Sequence, residues 1–402
     1  GARAAARETC AALGPAEGLT PPYDPTDPDP SGRRLGELRA WLLATMPLIA
    51  ARANLREQWH EAVSGETDQL HPELIRYADV IAATCIGVAS RPELTELDFD
   101  LAIVDEAGQI GVADVLVPLV RAKRAVLVGD QRQLPPFLDS DVERWAADAD
   151  EETRGLLAKS ALELLLDGLP GSHVVQLTLQ RRMPAEVCGF ISERFYGGNL
   201  HTAAVRHEHR DPLFTAPMAF VDTARLPKAR RYEQSGGTAE DGNIPGTSNE
   251  TEAELLVELA CFYHRRGAEW AVIVPYRAQV DVITRALAGR IGDLDVARHN
   301  VGTVDSFQGG ERDVILYGFT RSNPKGKVGF LRELRRINVA FTRVKRQLVL
   351  VGDADTIGNA DDPEFRKLAE ALRIHLMTRG EILQYLDVRE RLADFDTDWR
   401  RA

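Results

Sequence analysis

The stretch FDLAIVDEAGQ, residues 99–109, decides how the chain folds. Leu101, Ala102, Ile103 and Val104 form an apolar run that stops at two carboxylates, Asp105 and Glu106. A parallel strand buried on both faces reads as such a run, and ligands of open α/β sheets bind beyond the carboxyl ends of the strands. An acid pair at that edge is placed to hold Mg2+ through the first carboxylate and to activate water through the second. The loop G-x-x-x-x-G-K-[ST], which cradles the phosphates that such a pair serves, occurs nowhere in the 402 residues. The only Gly-Lys is Gly326-Lys327, and Val328 follows it.

The pattern of that run recurs. DVIAAT (79–84), AVLVGD (125–130), VVQLTL (174–179), AVIVPY (271–276), NVGTV (300–304), DVILYGFT (313–320) and QLVLVGD (347–353) read as short strands between helical stretches. This alternation predicts parallel sheets with crossover helices. AVLVGD and LVLVGD fall in separate halves, as two similar α/β domains require. A helix is expected from about Glu250, capped by Ser248 or Asn249 and ending before Gly267. Residues 14–32, crowded with Pro, Gly and Asp, and 235–248, rich in Gly and Ser, read as loops. Leu35 to about Val63 reads as helical, with Pro47 kinking it or starting a second helix.

Composition narrows the class. No apolar run approaches the ~20 residues of a bilayer span, and the N-terminus lacks the apolar core of a signal peptide. Cys10, Cys85, Cys188 and Cys261 are far apart and form no C-x-x-C pair, which disfavours structural zinc and suits a reduced cytoplasm. HEH (207–209) reads as a solvated loop rather than a metal pair. Only seven of 49 basic residues are lysine, which with abundant Ala and Gly suggests a GC-rich bacterial gene. Net charge is −12, so nonspecific nucleic-acid affinity over the whole surface is not expected. The charge is uneven, however: 139–152 is acidic, whereas 321–346 holds nine Lys/Arg against one acid, Glu333. A local basic track on an acidic body fits this.

Several apolar runs end in polar residues at the same kind of edge: Thr84, Asp105-Glu106, Asp130 with Gln133, Tyr276-Arg277, Thr303 with Gln308, and the Arg321 turn. Singly, each is ordinary strand termination, helix capping or a surface ion pair; together they suggest one ligand-binding cleft. Arg181 and Arg182 precede a helix whose Pro184 suits the first turn. Arg336 and Arg343, seven residues apart, are expected on one helix face. Two arginines facing an acid pair could neutralise charge developing on a transferred phosphoryl group.

VDEAGQ, VGDQRQLPP, LQRRMP…FYGGNL, SNETEA, VPYRAQ, VGTVDSFQGGERD and RRINVAFTR, in this order over about residues 78–353, resemble superfamily 1 helicases. The likeness is to the 5′-to-3′ branch of the nonsense-mediated-decay RNA helicase and its DNA-acting relatives. It implies an α/β fold of two RecA-like domains with a helical N-terminal insertion, ATP and Mg2+ as cofactors, and single-stranded DNA or RNA as partner. The implied roles are Asp105 for Mg2+, Glu106 as general base, Gln133 for the γ-phosphate and attacking water, and Asp130 for coupling the domains. Arg182 and Arg343 resemble arginine fingers. Gln308, Gly309 and Glu311 fall on the nucleotide side, Glu311 at the ribose. Thr84, Pro135, Tyr276, Arg277, Thr303 and Ser306 fall on or near the strand track. Arg181 stands where the family has a tyrosine that stacks on adenine; a guanidinium plane also stacks.

The domains expected are a helical insertion (1–75), the later part of a first RecA-like domain (76–175), a second RecA-like domain (176–385) and a helical tail (386–402). Because the family's phosphate loop lies upstream of ADVIAATC, Gly1 is expected to begin a fragment whose missing N-terminal part carries that loop. Natural loss of the loop ranks second. The alternative function is a noncatalytic nucleic-acid or protein-binding scaffold; a nuclease built on Asp105 and Glu106 lacks the further acids such a site needs.

Overall fold

A computed structural model of the chain describes residues 32–65, 75, 77–95, 97–203, 209–235, 246–307 and 309–399. Residues 14–31 of the loop expected at 14–32, residues 236–245 of that expected at 235–248, His207, Glu208 and Gln308 lie outside the described residues. The chain divides into two compact units, Gly1–Asp98 and Phe99–Ala402.

In the first unit one helix, Gly32–Gly65, runs continuously with Pro47 inside it. Short helices follow at Cys85–Ser90 and Pro92–Thr95. DVIAAT (79–84), expected as a strand, joins no ladder among the described residues, and Val80 is exposed. Apolar β-branched composition does not make a strand unless a neighbour takes up its N–H and C=O groups.

The second unit opens with a pair of parallel strands, β1 (Ala102–Val104) and β2 (Ala125–Leu127), in register Ala102↔Ala125 to Val104↔Leu127. β3 (Leu179–Gln180) and β4 (His201–Thr202) make a second short parallel pair. Of VVQLTL only the last residue is in a strand, while Val175 and Leu177 lie exposed. The large sheet comprises β5 (Met218–Asp222), β8 (Trp270–Ile273), β9 (Val301–Gly302), β10 (Arg312–Gly318), β11 (Val344–Gly352) and β12 (Glu381–Gln384). A small antiparallel pair, β6 (Gln234–Ser235) and β7 (Thr247–Ser248), stands apart from it. The six strands lie in the order β12-β5-β11-β10-β8-β9, and every pairing is parallel.

Alternation along these strands fills two cores. Met218, Phe220, Ile315, Tyr317, Leu348 and Leu350 point to one face, beside Phe190, Phe341 and Phe365. Ala219, Val221, Val314, Leu316, Val349 and Val351 point to the other, beside Leu256, Leu259 and Ile283. A strand with both faces covered must be apolar throughout, which is why these runs were legible. The helix Glu250–Arg265 starts as its cap demands, Asn249 accepting from the Glu252 N–H at 3.0 Å. The helix Tyr385–Trp399, expected as part of a tail, seats Tyr385, Val388 and Leu392 in the second core. β5 and β12 were not read from sequence. MAFVD does carry the signal, an apolar run ending in an acid; EILQ, an edge strand with polar ends, does not.

Candidate active site

The acid pair is held by a tight join between the ends of β1 and β2. Ala107 N–H donates to Val128 O at 2.8 Å. A Cβ at Gly108 would come within 2.8 Å of Asp130 O, and one at Gly129 within 2.7 Å of Gly108 N, so both positions require glycine for close approach. Glu106 has φ 53°, the left-handed region that costs a side-chain-bearing residue energy. Its carboxylate accepts from Gln109 Nε2 at 3.0 Å, and its N–H donates to Asp105 Oδ1 at 2.9 Å. Both carboxylates are exposed. One carboxylate, Asp105, is a sufficient protein share for Mg2+, which keeps waters and takes further oxygens from phosphates, and the second is left for proton transfer.

A chain of hydrogen bonds runs from this edge to residues far along the sequence. Asp130 accepts from Arg132 N–H at 2.9 Å and from Gln133 Nε2 at 2.9 Å, and Tyr196 Oη donates to the same carboxylate. Gln133 Oε1 accepts from Arg343 Nη2 at 3.0 Å. Asn338 Nδ2 donates to Arg132 O at 2.9 Å and to Tyr196 Oη at 3.0 Å. Burial first, and then the Asp130 carboxylate, push the Tyr196 phenol well above its usual range, so it stays a donor. Tyr196 and Asn338 fall within FYGGNL and RRINVAFTR, where the sequence alone assigns them no role. Their sequence signal was only a polar residue inside an apolar context, and its meaning needs the partner.

Arg343 is 4% exposed and anchored by Nε to Val339 O at 3.0 Å. Burial, and then the charge of Arg182, pull its pKa below the usual arginine value, against the pull of the Glu106 and Asp130 carboxylates. Arg182 is nearer solvent; its Nε pairs with Glu311 at 2.8 Å and its Nη1 donates to Thr342 O at 3.3 Å. A residue expected at the ribose and one expected as a finger are therefore paired with each other. Arg336 and Arg343 do not share a helix face: the helix Leu334–Phe341 ends before Arg343, and Arg336 turns to Asp305 at 3.1 Å. The turn at Thr342 redirects the chain into β11.

Arg181 is exposed, beside a cavity of about 1170 Å³ that Arg182, Arg266, Lys345 and Arg346 also line. Gly309 is exposed with φ 74°. Tyr276 is buried, stacked under the Arg321 guanidinium 5.7 Å from its ring centroid, and Arg277 opens the helix Arg277–Ile291 at the surface. Pro135 and Ser306 are exposed and Thr303 half-buried, Ser306 Oγ donating to Thr303 O at 2.7 Å. Thr84, in the first unit, caps its own helix by accepting from Gly87 N–H at 3.0 Å. Of HEH, His209 lies 2.9 Å from Phe214 O.

Two family models, each described as an AAA domain, match residues 47–141 and 157–355. The mouse DNA-binding protein SMUBP-2 is 33% identical over 326 residues, covering 77% of this chain and 30% of that protein. The human DNA replication ATP-dependent helicase/nuclease DNA2 is 32% identical over 312 residues, covering 70% and 27%. The Dictyostelium discoideum regulator of nonsense transcripts 1 is 33% identical over 304 residues, covering 73% and 21%. The chain thus spans less than a third of the length of these relatives. They are eukaryotic, which goes against the bacterial source read from composition. Arginine-over-lysine usage follows the base composition of a gene, and no side-chain chemistry ties it to a lineage. No described helix is long and apolar enough to cross a membrane.

Proposed function

The chain belongs to the superfamily 1 helicases, in the branch of the nonsense-transcript regulator, and from this we propose that it works in an ATP-dependent motor that moves along a single strand of DNA or RNA. The observation that carries the reading is the hydrogen-bonded chain from Asp130 through Gln133 to Arg343, closed on its other side by Tyr196 and Asn338. It ties the acid-bearing edge, through Gln133, to an arginine 210 positions beyond that glutamine. Groups so coupled would change partners together when a nucleotide enters and leaves, as cleft closure in a motor requires.

In this proposal MgATP supplies the phosphoryl group whose transfer to water drives the cycle. Asp105 holds the metal, Glu106 takes the proton of the attacking water, and Gln133 orients that water. Arg343, with Arg182, meets charge building on the phosphate. Arg181, Gln308, Gly309 and Glu311 face the rest of the nucleotide, and Thr84, Pro135, Tyr276, Arg277, Thr303 and Ser306 lie along the strand. The scattered cysteines support a reduced, cytoplasmic setting. The 402 residues contain no phosphate-loop motif, which favours a second reading, a strand-binding scaffold without turnover. Strand-stimulated ATP hydrolysis separates them, measured on a longer form that carries a phosphate loop. Turnover abolished by Glu106→Gln supports the motor; turnover indifferent to it sinks the assignment.

A further inference from the structure

The basic segment 321–346 carries one large apolar side chain outward. Phe330 is 60% exposed, while Val328 and Leu331 on either side are 1% and 2% exposed. A lone exposed phenylalanine is common and by itself means little. Here the loop that presents it is fixed from several sides. Asn323 Oδ1 accepts from Lys327 N–H at 2.9 Å, and its Nδ2 donates to Lys327 O at 2.9 Å. Asp361 accepts from Val328 N–H at 3.2 Å. Tyr276 Oη donates to Val328 O and accepts from Phe330 N–H, each at 3.2 Å. Gly326, at φ 64°, lies where a Cβ would be 2.0 Å from Asn359 O, so the turn is closed by backbone. A loop held this firmly gives up little backbone freedom on binding.

Its surroundings are cationic. Lys325, Lys327 and Arg332 are exposed in the same loop and have no carboxylate partner among the described residues. The Phe330 ring lies 5.4 Å from that of Tyr276, whose neighbour Arg277 is exposed at the start of the 15-residue helix Arg277–Ile291. An outward aromatic face amid unpaired cations, on a body of net charge −12, is complementary to one polymer class: a polyanion with unstacked bases.

We propose that Phe330 is a base-stacking residue for single-stranded nucleic acid, with Lys325, Lys327 and Arg332 holding the phosphates on either side. This deepens the proposed function and rests on strand binding by the chain. Stacking tolerates any base, so Phe330 contributes affinity without sequence preference, and the lysines contribute the salt dependence.

The test is binding of labelled 20-nucleotide dT, rU and fully abasic strands to the 402-residue chain, at two salt concentrations. Phe330→Ala should weaken dT and rU binding about tenfold without altering the salt dependence or the abasic-strand affinity. Phe330→Trp should restore affinity and show fluorescence quenching on dT; an unshifted melting temperature verifies that both variants fold. A greater loss on dT than on rU, or the reverse, identifies the strand the ring prefers and supports stacking either way. Equal affinity of wild type and Phe330→Ala for both base-bearing strands, with Arg277→Ala still impaired, overturns stacking, leaves the motor reading standing and points to a protein contact for the ring. Wild type that binds no strand overturns both.

Discussion

Arg343 combines near-complete burial with a contact to the one glutamine that also touches Asp130. Such a charge is kept where its planar fork satisfies several acceptors at once, which a lysine cannot reproduce. In a phosphate-loop-bearing form, Arg343→Ala should lower ATP turnover by about a thousandfold with strand affinity nearly intact, and Arg343→Lys should recover only part. Steady-state turnover and strand titration of both variants check this; near-normal turnover removes Arg343 from the site. Glu252 poses a different question. It is 2% exposed, with Thr320 N–H donating to both carboxylate oxygens at 2.9 and 2.8 Å. Thr320 has φ 65°, and Glu252 steadies this turn next to Arg321. Burial, against those hydrogen bonds, pushes its pKa up from 4.5 to about 8. Between these values the unfolded chain has lost a proton that the folded chain keeps, so this group makes stability fall as pH rises from 4.5 toward 8, and adds no slope above. Glu252→Gln should flatten that part of the profile. Melting temperatures from pH 5 to 9 decide it: parallel curves for the two proteins mean that Glu252 is ionised in the fold.

At the scale of elements, AVLVGD and LVLVGD end alike and serve differently. In each the aspartate accepts a backbone N–H two residues on, from Arg132 at 2.9 Å and from Asp355 at 3.0 Å. Asp130 then faces the coupling chain, whereas Asp353, with a side chain wholly buried, takes Arg231 by two bonds of 2.6 and 2.7 Å. Burial raises the Asp353 pKa, but Arg231, Ser322 and Thr356 outweigh it and hold the carboxyl below its usual value. Removing Arg231 leaves that charge buried without its ion-pair partner, so Arg231→Ala should cost about 3–5 kcal/mol in urea unfolding; a loss below ~1 kcal/mol, typical of surface pairs, refutes the structural role. Tyr196→Phe is milder, removing one hydroxyl between the helices Ala185–Phe195 and Leu334–Phe341 and the β2 edge. It should cost about 1–3 kcal/mol and weaken the dependence of turnover on strand binding. Unfolding midpoints of the chain, with turnover of a phosphate-loop-bearing form measured with and without strand, test both parts.

For the whole chain the expectation is a motor portion that binds strand and does not turn over alone. Without a lysine and backbone cradle for the β- and γ-phosphates, the 402 residues should hydrolyse ATP no faster than background. Robust strand-stimulated turnover that Glu106→Gln abolishes would show this wrong. Strand binding should be sequence-tolerant and fall steeply with salt, because the net charge of −12 leaves only the local basic track to attract phosphate. Arg277→Ala should weaken it further. Titrations at two salt concentrations with mixed-sequence strands read both effects, and a salt-independent affinity contradicts the track.

The sequence alone determined the parallel α/β class, four adjacent strands of the large sheet (β11, β10, β8 and the edge strand β9) and the order of the chemical motifs. Strands buried on both faces must be apolar throughout, and their acids must come at the ends. The reading failed where pairing decides: DVIAAT and most of VVQLTL have the composition of strands but no ladder among the described residues, while β12 has the ladder without the composition. It also gave Arg336 and Arg343 a shared face by counting helical turns, when the helix stops at Phe341. Only the tertiary structure decided that Arg343 meets Gln133, that Tyr196 and Asn338 close the same network, and that Arg182 is paired with Glu311. Hydrogen bonds across more than a hundred residues depend on where the chain returns in space, and neither periodicity nor residue type records that.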